Sequence, residues 1–222
     1  MHEFFAEYGQ LLFDGTLATL AMVAIATVIA YAFGVPLGVL VTVTAPGSLR
    51  PHRGLNAVFG WIVNVGRSIP FIILLVALIP FTRFIVGTSL GTAGAIVPLI
   101  VAATPFVARM VESSLAELGP GVIEAALSYG ASTWQVIWKV MLRESLPSIV
   151  RGASITLITL FGYSAMAGAV GAGGLGDIAI RYGYYRYQDD VMFATIVILI
   201  ILVQVTQAVG DLIARALDKR NR

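Results

Sequence analysis

The chain has 222 residues, of which 58% are hydrophobic and only 12% charged, with a mean hydropathy of +0.90. A soluble domain carries about 25% charged residues, so this composition excludes an ordinary soluble fold and points to an all-α integral membrane protein. The formal charge of +2 suggests no nucleic-acid partner, and the absence of cysteine excludes disulfides, thiol catalysis and thiolate-bound metal.

The N-terminal stretch MHEFFAEYGQLLFDG is acidic at Glu3, Glu7 and Asp14, and no small-residue cleavage site closes a short apolar core. It does not read as a secretory signal peptide, so the first span is expected to remain in place. That span is predicted over about residues 16–44, with Pro36 in GVPLG kinking or thinning it. A second apolar run covers about 55–81, interrupted by Arg67 in 66-GRSIP-70. A third covers about 91–109, a fourth 152–170 and a fifth 191–210. Each approaches the roughly 20 residues a helix needs to cross a bilayer. Together they predict one transmembrane domain of five helices spanning 1–222.

Basic residues set the orientation. With the N-terminus outside and the C-terminus in the cytoplasm, the inner segments hold Arg50, Arg53, Arg109, Lys139, Arg143, Arg151, Arg215, Lys219, Arg220 and Arg222. The outer segments hold only Arg83, Arg181 and Arg186. Arg67 remains. At mid-membrane it would cost about 2.5–3.5 kcal/mol on insertion scales, so it is expected near the inner boundary, where it can snorkel.

No Asp, Lys or His lies deep in an apolar run, and Glu112 sits at an edge. This argues against a proton relay, and no group of catalytic acids, His or Cys converges to suggest a membrane enzyme. No metal site and no cofactor are expected. The fourth span carries weak polarity at Thr156, Thr159, Tyr163, Ser164 and Met166. These residues fit either a wall of a translocation path or helix packing, and packing is the commoner use. The run 171-GAGGLG-176 fits G-x-G-x-x-G, but it follows a membrane helix rather than a strand. Its glycines are read as ending the fourth helix in tight turns. The aromatics of 181-RYGYYRYQDD-190 suit an interfacial belt or a docking surface on the outer side.

Between the third and fourth spans lies a polar insert of about 118–147. A helix from about Gly121 to Tyr129 should end at Gly130, and Ser132 with Gln135 should form a capping box opening a second helix. Gln135, Lys139 and Arg143 make a polar stripe, while Trp134, Trp138, Val136, Ile137, Val140 and Met141 leave apolar surface that a short hairpin cannot bury alone. Physics leaves three readings open: a helix resting on membrane lipid, a plug under the bundle, or a knob for a cytoplasmic partner.

The pattern Glu124-Ala125-Ala126, three residues, Gly130, nine residues, then Val140 and Leu142 resembles the E-A-A loop of bacterial ABC importer permeases. Val140 stands where that loop usually has Ile, and Arg143 where it has proline, so the bend there should be softer or delayed to Pro147. GRSIPFIILLVALIPFTRFIVGTSLGTAGAIVPLIVAATPFVARMVESSL (66–115) and SITLITLFGYSAMAGAVGAGGLGDIAIRYGYYRY (154–187) are similar to the methionine-uptake branch of that family.

The resemblance implies a type I ABC importer permease fold in a bacterial cytoplasmic membrane. It implies a second copy of the chain, two cytoplasmic ATPase subunits and an extracytoplasmic methionine-binding protein, often a lipoprotein. It also implies that Glu124, Ala125, Ala126, Gly130, Ala131, Ser132 and Trp134 meet the ATPase, with Glu124 positioning or salt-bridging the loop. The expected cargo is methionine, with its D-isomer and close analogues in some relatives. The chain has no G-x-x-x-x-G-K-[ST] phosphate loop, so ATP chemistry belongs to a partner. The alternatives are an importer permease for another small solute and a stand-alone channel.

Overall fold

A computed structural model describes residues 2–218, and no strand occurs among them. The tail cations Lys219, Arg220 and Arg222 lie outside the described residues. Helix α1 runs His2–Thr44, beginning well before the expected residue 16 and continuing unbroken through Pro36. Its apolar length, Ala6–Thr44, is 39 residues, or about 58 Å at 1.5 Å per residue, far beyond the roughly 30 Å of a bilayer core.

The second apolar run is not one straight helix. It divides into α2, Arg53–Ser68, and α3, Phe71–Ala77, which meet at 101°, and α4, Ile79–Val86, follows. The His52 side chain caps α2 by accepting from the Leu55 backbone N–H. Ile69 and Pro70 then adopt extended backbone, the conformation that a following proline imposes on its predecessor.

The third apolar run folds into α5, Gly91–Ala116, continuous through Pro98 and Pro105. Helix α6, Pro120–Ser128, and α7, Thr133–Gln135, follow. A π-helical turn, Val136–Met141, leads into α8, Leu142–Glu144. The fourth apolar run lies in α9, Leu146–Gly168. A short α10, Gly174–Ile178, and a second π-helical turn, Ala179–Tyr184, precede α11, Asp189–Leu217, which holds the fifth.

Helices α1, α5 and α9 form the centre. Met22, Val23, Ala26 and Ala30 of α1 meet Leu99, Ala103, Val107 and Val111 of α5 and Leu160 and Phe161 of α9. Small residues set the separation, as expected where lipid removes the hydrophobic drive between helices. A Cβ on Gly34 would fall 2.6 Å from Val107 Cγ1, and one on Gly38 2.6 Å from the Ala108 carbonyl oxygen. The GVPLG stretch therefore thins α1 where α5 lies against it. Gly66 of α2 packs the same way onto Pro105, with the Pro105 Cγ 2.8 Å from the place of a Cβ. This contact sets Gly66, the neighbour of Arg67, against Pro105, four residues before Arg109 on α5.

The glycine run after α9 is a turn. Gly171, Gly173 and Gly174 have φ of 86°, 77° and 75°, a region open to glycine at little steric cost. The turn is held by the Leu175 N–H, which donates to Thr19 Oγ1 of α1 at 2.9 Å.

Candidate functional site

The insert between α5 and α9 is built from two exact backbone closures. At the end of α6 the Gly130 N–H donates to the Leu127 carbonyl at 2.9 Å and the Ala131 N–H to the Ala126 carbonyl at 3.1 Å. This is the Schellman closure, which needs a left-handed residue between the two donors, and Gly130 supplies it at φ 80°. The small residues Ala126 and Ala131 pack against the core from either side of that turn.

One residue later the second helix opens. The Ser132 hydroxyl accepts from the Gln135 N–H, and the Gln135 side chain accepts from the Ser132 N–H at 2.9 Å. Such a cap is worth about 1 kcal/mol, and with the Schellman turn it fixes the angle between the two helices. Arg50 Nε, from the loop after α1, donates to Thr133 Oγ1 at 3.3 Å.

The second helix is two-faced. Val136, Ile137 and Met141 are buried and join Leu115 and Leu118 in the core, so this face plugs the bundle. The opposite face stays open. Trp134 is 67% exposed and Tyr129 93%, and Trp134 and Trp138 lie ring to ring with centroids 5.4 Å apart. Gln135, Lys139 and Arg143 are exposed beside them. Glu124 and Ala125 are exposed on α6, and Glu124 makes no ion pair among the described residues. Of the two expected roles for Glu124, a salt bridge within the loop does not form among the described residues.

Where proline was expected, the helix runs on through Arg143 to Glu144. It is interrupted only at Ser145, and Pro147 takes the first turn of α9, the position that tolerates proline best.

The polar residues of α9 fall into two groups. Thr156, 1% exposed, donates to the Gly152 carbonyl at 2.8 Å, and the buried Ser164 donates to Phe161 at 2.8 Å. Both are turned into the chain's own interior, so neither lines an open surface of this chain. Thr159 and Tyr163 are partly exposed, and Met166 is 50% exposed. Tyr163 stacks on Phe71 at the start of α3. Sequence reasoning missed this elbow, although Pro70 inside an apolar run was the available signal.

The described residues include no group of three or more His, Cys, Asp or Glu suited to a metal. Before α11, Tyr184, Tyr185 and Tyr187 are exposed, and the Arg186 guanidinium sits 4.4 Å from the Tyr182 ring centroid.

Residues 34–222 match the profile of the family described as binding-protein-dependent transport system inner membrane component. The probable D-methionine transport system permease protein MetI of Vibrio cholerae is 51% identical over 218 residues, 98% of this chain and 97% of its own length. The methionine import system permease protein MetP of Bacillus subtilis is 45% identical, with 82% of each chain covered. A solved inward-facing structure of the MetNI methionine ABC transporter superposes with a TM-score of 0.94 at 52% identity. The match covers 96% of this chain and 98% of that one. A crystal structure of an amino acid ABC transporter shares the fold, with a TM-score of 0.78 at 18% identity over 95% and 96% of the two chains.

Proposed function

This chain belongs to the family of binding-protein-dependent transport system inner membrane components, and on that footing we propose that it is the membrane permease subunit of an ATP-driven methionine importer. The carrying observation is 51% identity along 98% of the chain to a relative named for D-methionine transport. The chain is a transporter subunit rather than an enzyme, lies in the bacterial inner membrane and has an all-helical type I importer fold.

The assembly we propose holds two copies of this chain and two cytoplasmic ATPase subunits, as the MetNI likeness supports. An extracytoplasmic methionine-binding protein and surrounding lipid complete it. Five spans run N-terminus outside to C-terminus inside, the broken α2–α3 pair counting as one. In support, the contact between Gly66 and Pro105 keeps Arg67 within snorkelling distance of the Arg109 level. A cysteine at position 67 is expected to react with an impermeant reagent from the cytoplasmic side, and labelling only from outside refutes the orientation.

The insert is the coupling element. Glu124, Ala125 and Trp134 present the docking face, while Ala126, Gly130, Ala131 and Ser132 hold its shape. When ATP draws the two ATPase subunits together, a stiff insert moves with them and rotates the spans, exchanging an inward opening for an outward one. This is a rigid-body switch between two states, with ATP favouring one of them. Thr159, Tyr163 and Met166 face the partner copy across the path: neutral, soft groups past which a zwitterion with an apolar tail can move. Thr156 and Ser164 serve helix packing instead.

The reading is tested by uptake of labelled methionine into vesicles holding this chain, its ATPase and the binding protein, with D-methionine and other small amino acids as competitors. Uptake that needs ATP and is blocked by methionine supports it. Uptake without ATP, or of a different solute only, overturns it.

A further inference from the structure

Helix α2 carries three faces, each repeating at steps of three or four residues. Phe59, Val63 and Gly66 pack on α1 and α5. Leu55, Val58, Ile62, Val65 and Ile69 form an apolar face, 37–54% exposed. Ala57, Gly60, Asn64 and Arg67 form the third, a stripe of small and polar groups that is exposed except at the half-buried Gly60. The apolar face belongs against lipid. The polar stripe runs along the same length of helix and so lies at the same depth, where an amide or a guanidinium facing hydrocarbon is costly.

Helix α11 repeats the arrangement. Val191, Thr195, Gly210 and Ala214 are buried, while Ile201, Val205 and Leu212 make an apolar face, 54–65% exposed. The third face reads Phe193, Ile200, Gln204, Gln207, Asp211 and Arg215, and it turns from apolar to polar at Gln204. Only Asp211 of these is half-buried; the others are exposed. Arg67, Asp211 and Arg215 form no ion pair among the described residues. The side chains of Asn64, Gln204 and Gln207 make no hydrogen bond among them. Gly66 of α2 lies on Pro105 and Gly210 of α11 on Ser154. Both contacts fall in the halves of α5 and α9 nearest the insert, so the two stripes occupy the same end of the bundle. Gln204 also shares a groove of about 310 Å³ with Gly162 of α9, and a Cβ added to Gly162 would meet nothing within 4 Å.

We propose that the stripes of α2 and α11 are walls of a water-filled vestibule that opens on the insert side and ends at Gln204, and that imported solute leaves through it. Water, rather than a dry helix contact, suits these stripes because each carries charge with no ion partner in its own chain, and intramembrane charges face water-filled cavities or paired interiors. The vestibule rests on the permease reading and deepens it. Cargo that has passed the Thr159 and Tyr163 face meets the Gln204 amide, which both donates and accepts, and then the hydrated walls below it. When the ATPase subunits draw together, the same movement that opens the other side closes this one.

The chain contains no cysteine, so single cysteines can be read without background. The test is the rate at which a membrane-impermeant methanethiosulfonate reagent labels the assembled transporter in inside-out membrane vesicles, with and without a non-hydrolysable ATP analogue. Without nucleotide, Ala57→Cys, Asn64→Cys and Gln207→Cys are expected to label at least tenfold faster than Ile62→Cys and Val205→Cys, which stand on the apolar faces of the same two helices. Ile200→Cys, beyond Gln204 on the same face of α11, is expected to label as slowly as those two. The analogue is expected to slow the stripe positions at least tenfold. Three stripe positions on two helices keep the test decisive if one variant fails to assemble. Stripe cysteines that label no faster than the apolar ones, the result if a second copy packs dry against them, overturn the vestibule. Ile200→Cys labelling as fast as Gln207→Cys overturns its end at Gln204, and rates that ignore the analogue overturn its closure. Methionine uptake by the parent, measured in parallel, separates the two ideas. Import with protected stripes sinks the vestibule alone; labelled stripes with no methionine import sink the functional reading and leave the vestibule standing.

Discussion

The Phe71 and Tyr163 rings lie parallel, with centroids 4.5 Å apart. This contact ties the elbow between α2 and α3 to the C-terminal part of α9, so movement of either helix is passed to the other. Such a pair is worth about 1 kcal/mol beyond its buried area. Tyr163→Phe keeps the stack and should retain most methionine uptake. Tyr163→Ala loses it and should lower both uptake and the melting temperature of the purified chain. Equal uptake by the two variants removes the elbow from the transport path.

The approach of α1 to α5 rests on the absence of a side chain at Gly38. Gly38→Val should cost about 1–3 kcal/mol through overpacking, read as a lower melting temperature and a lower yield from membranes. Gly60, whose added Cβ would meet nothing within 4 Å, is the control: Gly60→Ala should melt with the parent or slightly above it, since alanine is the better helix former.

On the proposed docking face, the exposed Trp134 is the aromatic anchor. Buried tryptophans at interface centres cost about 2 kcal/mol or more when truncated, so Trp134→Ala should weaken association with the ATPase by roughly 30-fold. Helical content should not change, because the Ser132–Gln135 cap and the buried face of Val136, Ile137 and Met141 remain. Co-purification of the ATPase with the variant, alongside circular dichroism, reads both outcomes.

Much of this was legible in the residues themselves. The apolar runs located the long helices α1, α5, α9 and α11, and Gly130 with Ser132 and Gln135 marked the turn and cap of the insert, because those positions depend on local backbone chemistry. The broken second span was harder to see. Its apolar content is the same on both sides of Pro70, so hydropathy does not register a 101° bend. The polar residues of α9 were ambiguous for a similar reason: spacing places them on the helix, but only packing shows that Thr156 and Ser164 face inward while Met166 faces out. The start of α1 at His2 was hidden because the acidic first turns are polar yet helical.

In the proposed coupling of ATP hydrolysis to methionine movement, Gly130 is the joint of the insert. A side chain there is strained at φ 80°, at about 1–2 kcal/mol for an L residue, and Gly130→Asp adds a charge to the docking face. The direct measurement is methionine imported per ATP hydrolysed, in proteoliposomes holding equal amounts of inserted parent or Gly130→Asp chain. The variant is expected to insert normally, while its yield of methionine per ATP collapses. A variant that imports methionine at the parental ratio contradicts that coupling.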